Sequence, residues 1–251
     1  MHKSQNYLLS SLYKGKPTKE YVTSQILSAS QAGALEVLLR EDAIDYLYSA
    51  TVSLGDALGG ISRELFTWAT VKLYYSTFYA MRARLAVRGV GLFYVKAKPF
   101  SIFARPGQSA RTEKGQTHKV VLDLFRRHNL DPFMLSQPIG TDDPLQWLMN
   151  LREEVNYKMA RFTEPDVPQH FAKLCNLSLR QACSCYLEDA TAMYVFDPDH
   201  AIVAFPLSLI ERSCREFQRH GLSIRKKEDT AFFNKLISDK KGPLAHVLNI
   251  F

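Results

Sequence analysis

From Ser62 to Gly89 the chain reads SRELFTWATVKLYYSTFYAMRARLAVRG, and the fold class turns on this stretch. Leu65, Ala69, Leu73, Phe78, Met81 and Leu85 recur at the three-or-four-residue spacing that lines up side chains on one helical face, and Phe66 and Tyr74 widen the stripe. Ser62 is the expected N-cap and Gly89 the expected stop. At about 1.5 Å per residue such a helix is a rod of roughly 40 Å, long enough to be the spine of a bundle. The cations Lys72, Arg82, Arg84 and Arg88 fall mostly off the stripe.

Helical periodicity continues outward in both directions. Upstream, Leu35, Leu38, Leu39, Ile44, Leu47, Val52 and Leu54 predict one amphipathic helix or a pair, ended by Gly59 and Gly60, and the polar first thirty residues read as a strap broken by Gly15 and Pro17. Downstream, residues 90–116 hold Gly91, Pro99, Pro106, Gly107 and Gly115 without helical period, which predicts a long irregular insertion. Helix resumes at Thr117 with Val120, Val121, Leu124 and Phe125 on one face, and breaks between Asn129 and Pro132. Asp143 followed by Pro144 is a start signal for the next helix. Another is expected from about Pro168 to Tyr194, closed by Asp197, Pro198 and Asp199. The tail is expected to add helices near Leu207–Arg219 and Glu228–Ile237, and its apolar end, Pro243–Phe251, to dock on its own body or a partner. The expected class is all-α, with a strap over 1–33, a helical bundle over 34–194 and a helical extension over 195–251.

Charge is concentrated rather than spread. The chain carries a formal +7, yet residues 82–127 alone hold eleven Lys or Arg against Glu113 and Asp123, a net +9, so the remainder is slightly acidic. Lys96, Lys98, Arg105, Arg111, Lys114, Lys119, Arg126 and Arg127 within that window are the candidate nucleic-acid ligands, because clustered cations suit a phosphate backbone. A solvated basic loop has the same one-dimensional pattern. Cys175, Cys183, Cys185 and Cys214 sit in helical stretches without the paired short loops of a zinc site, so ordinary thiols are expected, with no metal, cofactor or disulfide framework. The polar N-terminus and the interrupted apolar runs argue for a cytoplasmic protein without membrane spans.

Two ordered segments carry a family likeness. The run Lys72-Leu73-Tyr74-Tyr75-Ser76-Thr77-Phe78-Tyr79-Ala80-Met81-Arg82-Ala83, preceded by Trp68, is similar to the second helix of many HEPN proteins. His118 at the head of a Phe125-ended helix, followed by Leu151-Arg152-Glu153-Glu154-Val155-Asn156-Tyr157, resembles the succession in which that superfamily places its arginine motif. The resemblance spans roughly residues 35–192. It implies an up-and-down helical bundle, here with a long basic loop insertion and extra C-terminal helices, in a prokaryotic toxin or antiviral complex.

The resemblance also sets the functional expectation. Active HEPN ribonucleases use an arginine and a histidine four to six residues apart, meeting their copies across a homodimer interface and cleaving RNA without metal. Histidine can exchange protons with a 2′-hydroxyl near neutrality, and arginine can hold the scissile phosphate. Here Tyr157 stands at the histidine's position, beside Asn156. A phenol titrating near pH 10 is a poor base at pH 7, asparagine exchanges no protons, and losing a general acid or base typically costs about 10² to 10⁴ in rate. The expected function is therefore a non-catalytic subunit binding nucleic acid, a partner protein, or both. The alternative is a homodimeric endoribonuclease using Arg152, Tyr157 and His118. Each residue also has a plain reading: an ion pair of Arg152 with Glu153, Glu154 or Asp123, a core position for Tyr157, and a helix-start or packing role for His118.

Overall fold

The computed structural model describes residues 2–15, 17–223, 231–233, 235 and 236. The protein is mainly α-helical, with one small three-stranded sheet. In chain order it runs α1 (Lys3–Tyr7), α2 (Lys19–Ser24), α3 (Ala29–Ile61), α4 (Phe66–Val87), β1 (Val90–Val95), β2 (Lys98–Phe103), β3 (Arg111–Thr112) and α5 (Thr117–Arg127). Then come α6 (Pro144–Glu153), α7 (Gln169–Cys175), α8 (Leu179–Glu188), α9 (Met193–Phe196) and α10 (Ala201–Arg219). Leu8–Leu12 and Glu154–Lys158 are π-helical turns that extend α1 and α6.

The chain divides into two compact units, one of residues up to Tyr46 plus Met81–Leu130, the other of Leu47–Ala80 plus Asp131 onward. In the first, Asp42 of α3 is buried and accepts from the amides of Lys3 (2.8 Å) and Ser4 (3.0 Å), fixing the start of α1. Its core stacks Tyr13 on Phe93 at 5.3 Å and Phe93 on Phe100 at 5.6 Å, with Leu35, Val121 and Phe125 fully buried. Each such large apolar side chain contributes about 1.5–3 kcal/mol when withdrawn from water. Arg84, one of the off-stripe cations, is also buried, donating from Nη2 to the Leu130 carbonyl at 2.7 Å.

The insertion over 90–116, expected to be irregular, contains the sheet. Val90, Leu92, Phe93, Tyr94 and Val95 favour extended backbone, and β1 pairs antiparallel with β2 from Val90↔Phe103 to Val95↔Lys98. That register leaves Lys96 and Ala97 as a two-residue turn, both left-handed at φ 48° and 64°. Two-residue hairpin turns need this conformation but ordinarily take Asn-Gly to reach it, so the hairpin has no sequence signature.

In the second unit, α3 does not stop at Gly59–Gly60 but continues to Ile61. Glycine weakens a helix by only about 1 kcal/mol, and Leu54, Ala57 and Leu58 are buried on this turn. The reversal lies at Glu64, left-handed at φ 58°, where the Leu65 amide reaches back to the Gly60 carbonyl at 2.9 Å. Ser62 consequently belongs to this turn, its hydroxyl donating to the Leu58 carbonyl, and does not cap α4. The cap comes from Glu164, whose carboxylate accepts from the Thr67 amide and hydroxyl, both at 2.7 Å.

At α6 the Asp143-Pro144 signal holds: Asp143 Oδ1 accepts from Leu145 N at 3.0 Å and Gln146 N at 3.1 Å, with Pro144 in the first turn. The single helix expected over 168–194 is instead α7, α8 and α9. Asp189 interrupts it by accepting from Thr191 N (2.9 Å) and Tyr194 N (3.0 Å), a local turn that competes with helix. The helix expected from Leu207 begins at Ala201, because Ala201 through Leu207 are all buried and the Asp197 carbonyl accepts from Ala201 N at 2.7 Å. The basic run Arg225, Lys226, Lys227, most of the segment Glu228–Ile237 and the tail Pro243–Phe251 lie outside the described residues.

Candidate functional site

Two constellations follow from this frame. In the first unit, the sheet, its loops and the first turn of α5 carry Lys96, Lys98, Arg105, Arg111, Lys114 and Lys119, all exposed and none in an ion pair among the described residues. Arg126 and Arg127 differ. Arg126 pairs with Asp123 of its own helix at 3.5 Å. Arg127 forms a two-pronged bond with Glu113 at 2.8 and 2.9 Å, and the Ser101 hydroxyl donates to the same carboxylate at 2.6 Å. Glu113 has a side chain only 6% exposed. Burial pushes its carboxyl up, but the bonds from Arg127 and Ser101 outweigh this and hold it below the ordinary carboxylate value. The segment's one carboxylate before α5 is thus tucked beneath Arg127, leaving six cations facing solvent.

The second constellation lies at the junction of α6 with its π turn, in the second unit. An α-helix would set residues five apart roughly 140° apart around its axis, whereas i→i+5 bonding brings them toward one face. Arg152 Nη2 accordingly donates to the Tyr157 hydroxyl at 3.1 Å, with a long contact to the Tyr75 hydroxyl at 3.5 Å. The guanidinium carbon stands 5.6, 5.9 and 5.0 Å from the ring centres of Tyr74, Tyr75 and Tyr157, within cation–π range. Arg152 is 9% exposed, and its Nε is a buried donor without an acceptor. Burial pushes the Tyr74 phenol well above its usual value, so it is neutral here. Chemically this is a fully charged arginine held by aromatic faces and phenols.

The remaining expectations resolve individually. Arg152 forms no ion pair with Glu153, Glu154 or Asp123. Tyr157 does not enter the core: it is 71% exposed and meets Arg152 through its hydroxyl and one face of its ring. An aromatic at helical spacing reads as core, but the π turn and the exit of the chain at Met159 carry it outward. His118 sits in the first turn of α5, in the first unit, while Arg152 and Tyr157 are in the second. Cys183 and Cys214 are buried and Cys175 and Cys185 exposed, all as free thiols.

Sequence reasoning passed over three groups. Glu164 as the cap of α4 is separated from it by 97 residues. His170 is neutral, pushed by burial to about 4, with Nε2 3.3 Å from the Thr70 hydroxyl, which itself donates to the Phe66 carbonyl at 3.0 Å. Gln108 and Ser109 line a cavity beside β2 and had no motif to announce them.

Among the described residues no cluster of His, Cys, Asp or Glu could hold a metal ion, and no helix is long and apolar enough to cross a membrane. No family model, curated protein or solved structure matches the chain.

Proposed function

We propose that the protein is a HEPN-like, non-catalytic subunit of a prokaryotic antiviral or toxin complex that holds nucleic acid on its basic hairpin sheet. The observation that carries the reading is the charge arrangement of the first unit: six exposed cations without ion pairs among the described residues, and a neighbouring acid withdrawn under Arg127. Had the cluster been a merely solubilising surface, mixed signs and local pairs such as Arg40–Glu36 on α3 would be expected. The non-catalytic half is supported by the surroundings of Arg152, which are phenols rather than an imidazole. The half that concerns a partner protein rests on the apolar sequence of Pro243–Phe251.

Filter binding of a labelled RNA at two salt concentrations tests it. The expected result is an affinity that falls steeply with salt, the log–log slope losing about 0.7 to 0.9 for each phosphate contact removed. Charge reversal at Arg105, Arg111 and Lys114 is expected to lower that slope by about two to three and to weaken all sequences alike. Salt-insensitive or absent binding would overturn the reading.

A further inference from the structure

Beside β2 the first unit contains a cavity of about 100 Å³. Its apolar side is Val90, Ile102 and Phe103, and its polar side includes Gln108, Ser109 and His128. Among the described residues none of those three side chains has a hydrogen-bond partner, and with Gln108 and His128 exposed and Ser109 half-buried, a primary amide, a hydroxyl and an imidazole stand open to an incoming group beside an apolar wall. The imidazole is held below its ordinary value by burial and by Arg127, which leaves it neutral at pH 7 as both donor and acceptor. The loop bearing Gln108 and Ser109 is pinned rather than loose: the Leu27 amide donates to the Gln108 carbonyl, the Gly107 amide donates to the Leu27 carbonyl, both at 2.9 Å, and Ser109 bridges to Ile26. Arg111 lies at the rim, and the Arg105 guanidinium covers the Phe103 ring at 4.4 Å.

Size and chemistry together select the occupant. An apolar cavity of about 150 Å³ accepts a benzene ring, so an open one of two-thirds that volume has room for the edge of one six-membered ring, and the second ring of a fused bicycle would stay outside it. One aromatic face at Phe103, an amide and a hydroxyl beside it, and cations nearby are features by which proteins take an unstacked base from a single strand. A duplex would keep its base edges paired and unable to enter.

We infer that this cavity receives a pyrimidine base of an unpaired nucleic-acid strand, read by Gln108, Ser109 and His128, with the flanking phosphates on Arg105 and Arg111. The inference rests on the nucleic-acid reading of the basic sheet and adds its substrate class. The test is fluorescence anisotropy of the full chain with labelled oligo-uridylate, oligo-thymidylate, oligo-adenylate and a duplex of equal length, at two salt concentrations. Both pyrimidine strands are expected to bind about tenfold tighter than the adenylate and the duplex. The exposed change Gln108→Ala, and Ser109→Phe, which fills the cavity, are expected to erase that preference while leaving the salt slope intact. A preference caused by stacking within the free adenylate strand would persist in Gln108→Ala, which overturns the cavity's role. Equal affinity for all four probes with a retained salt slope overturns it too, and leaves the basic sheet as a non-specific surface. Absence of salt-sensitive binding to any probe overturns both. Thermal melts of each variant confirm that the fold is kept.

Discussion

At the scale of single residues, environments rather than identities set the chemistry. His170 is neutral because burial lowers its proton affinity from 6.5 to about 4. As pH falls below 6.5 the unfolded chain takes up this proton first, so the stability linked to the neutral imidazole is complete above 6.5 and drains away down to about 4. Urea unfolding between pH 7 and 4 is expected to show this loss, up to about 3 kcal/mol, and His170→Gln to flatten it. An unchanged acid limb in the variant would assign the loss to other groups. Glu113 adds at lower pH: its depressed carboxyl gives stability above 4.5 that disappears as pH falls through the lowered value. Glu113→Gln is expected to remove that second, more acidic loss and leave the first. Neither group's state was legible in the sequence, since a histidine or glutamate there carries no mark of burial.

At the scale of elements, the sequence was most informative where the signal is local. Asp143-Pro144 opened α6 as read, and the period from Val120 to Phe125 matched α5. It failed where an end is decided at a distance, as at α4, whose cap is Glu164, or where packing outweighs a local breaker, as at Gly59–Gly60. The β1–β2 hairpin is the clearest instance, because its turn Lys96-Ala97 adopts a left-handed conformation that side chains with a Cβ resist by about 1–2 kcal/mol per residue. The double change Lys96→Asn with Ala97→Gly is expected to raise unfolding stability by about 1 kcal/mol, seen as a higher urea midpoint at unchanged slope. A lower midpoint would mean that the turn is not the one described. Because Lys96 is also one of the six exposed cations, the same variant is expected to weaken nucleic-acid binding slightly.

At the scale of the molecule, the question is whether any of this surface is catalytic. Incubation of RNA with the protein in EDTA is expected to give no cleavage beyond that of Arg152→Ala, because Arg152 is surrounded by Tyr74, Tyr75 and Tyr157. Cleavage by the parent chain that disappears in Arg152→Ala would replace the binding reading with the nuclease one. By itself the sequence determined that the chain is mainly helical, where its basic charge is concentrated, and that a tyrosine stands five residues beyond Arg152. These are properties of composition and spacing, which a one-dimensional string carries in full. Only the tertiary structure decided that residues 90–112 form a sheet, that Arg152 lies among phenols instead of carboxylates, and that Gln108, Ser109 and His128 share a cavity. Those outcomes depend on contacts between segments far apart in the chain, where burial and pairing outweigh local preference.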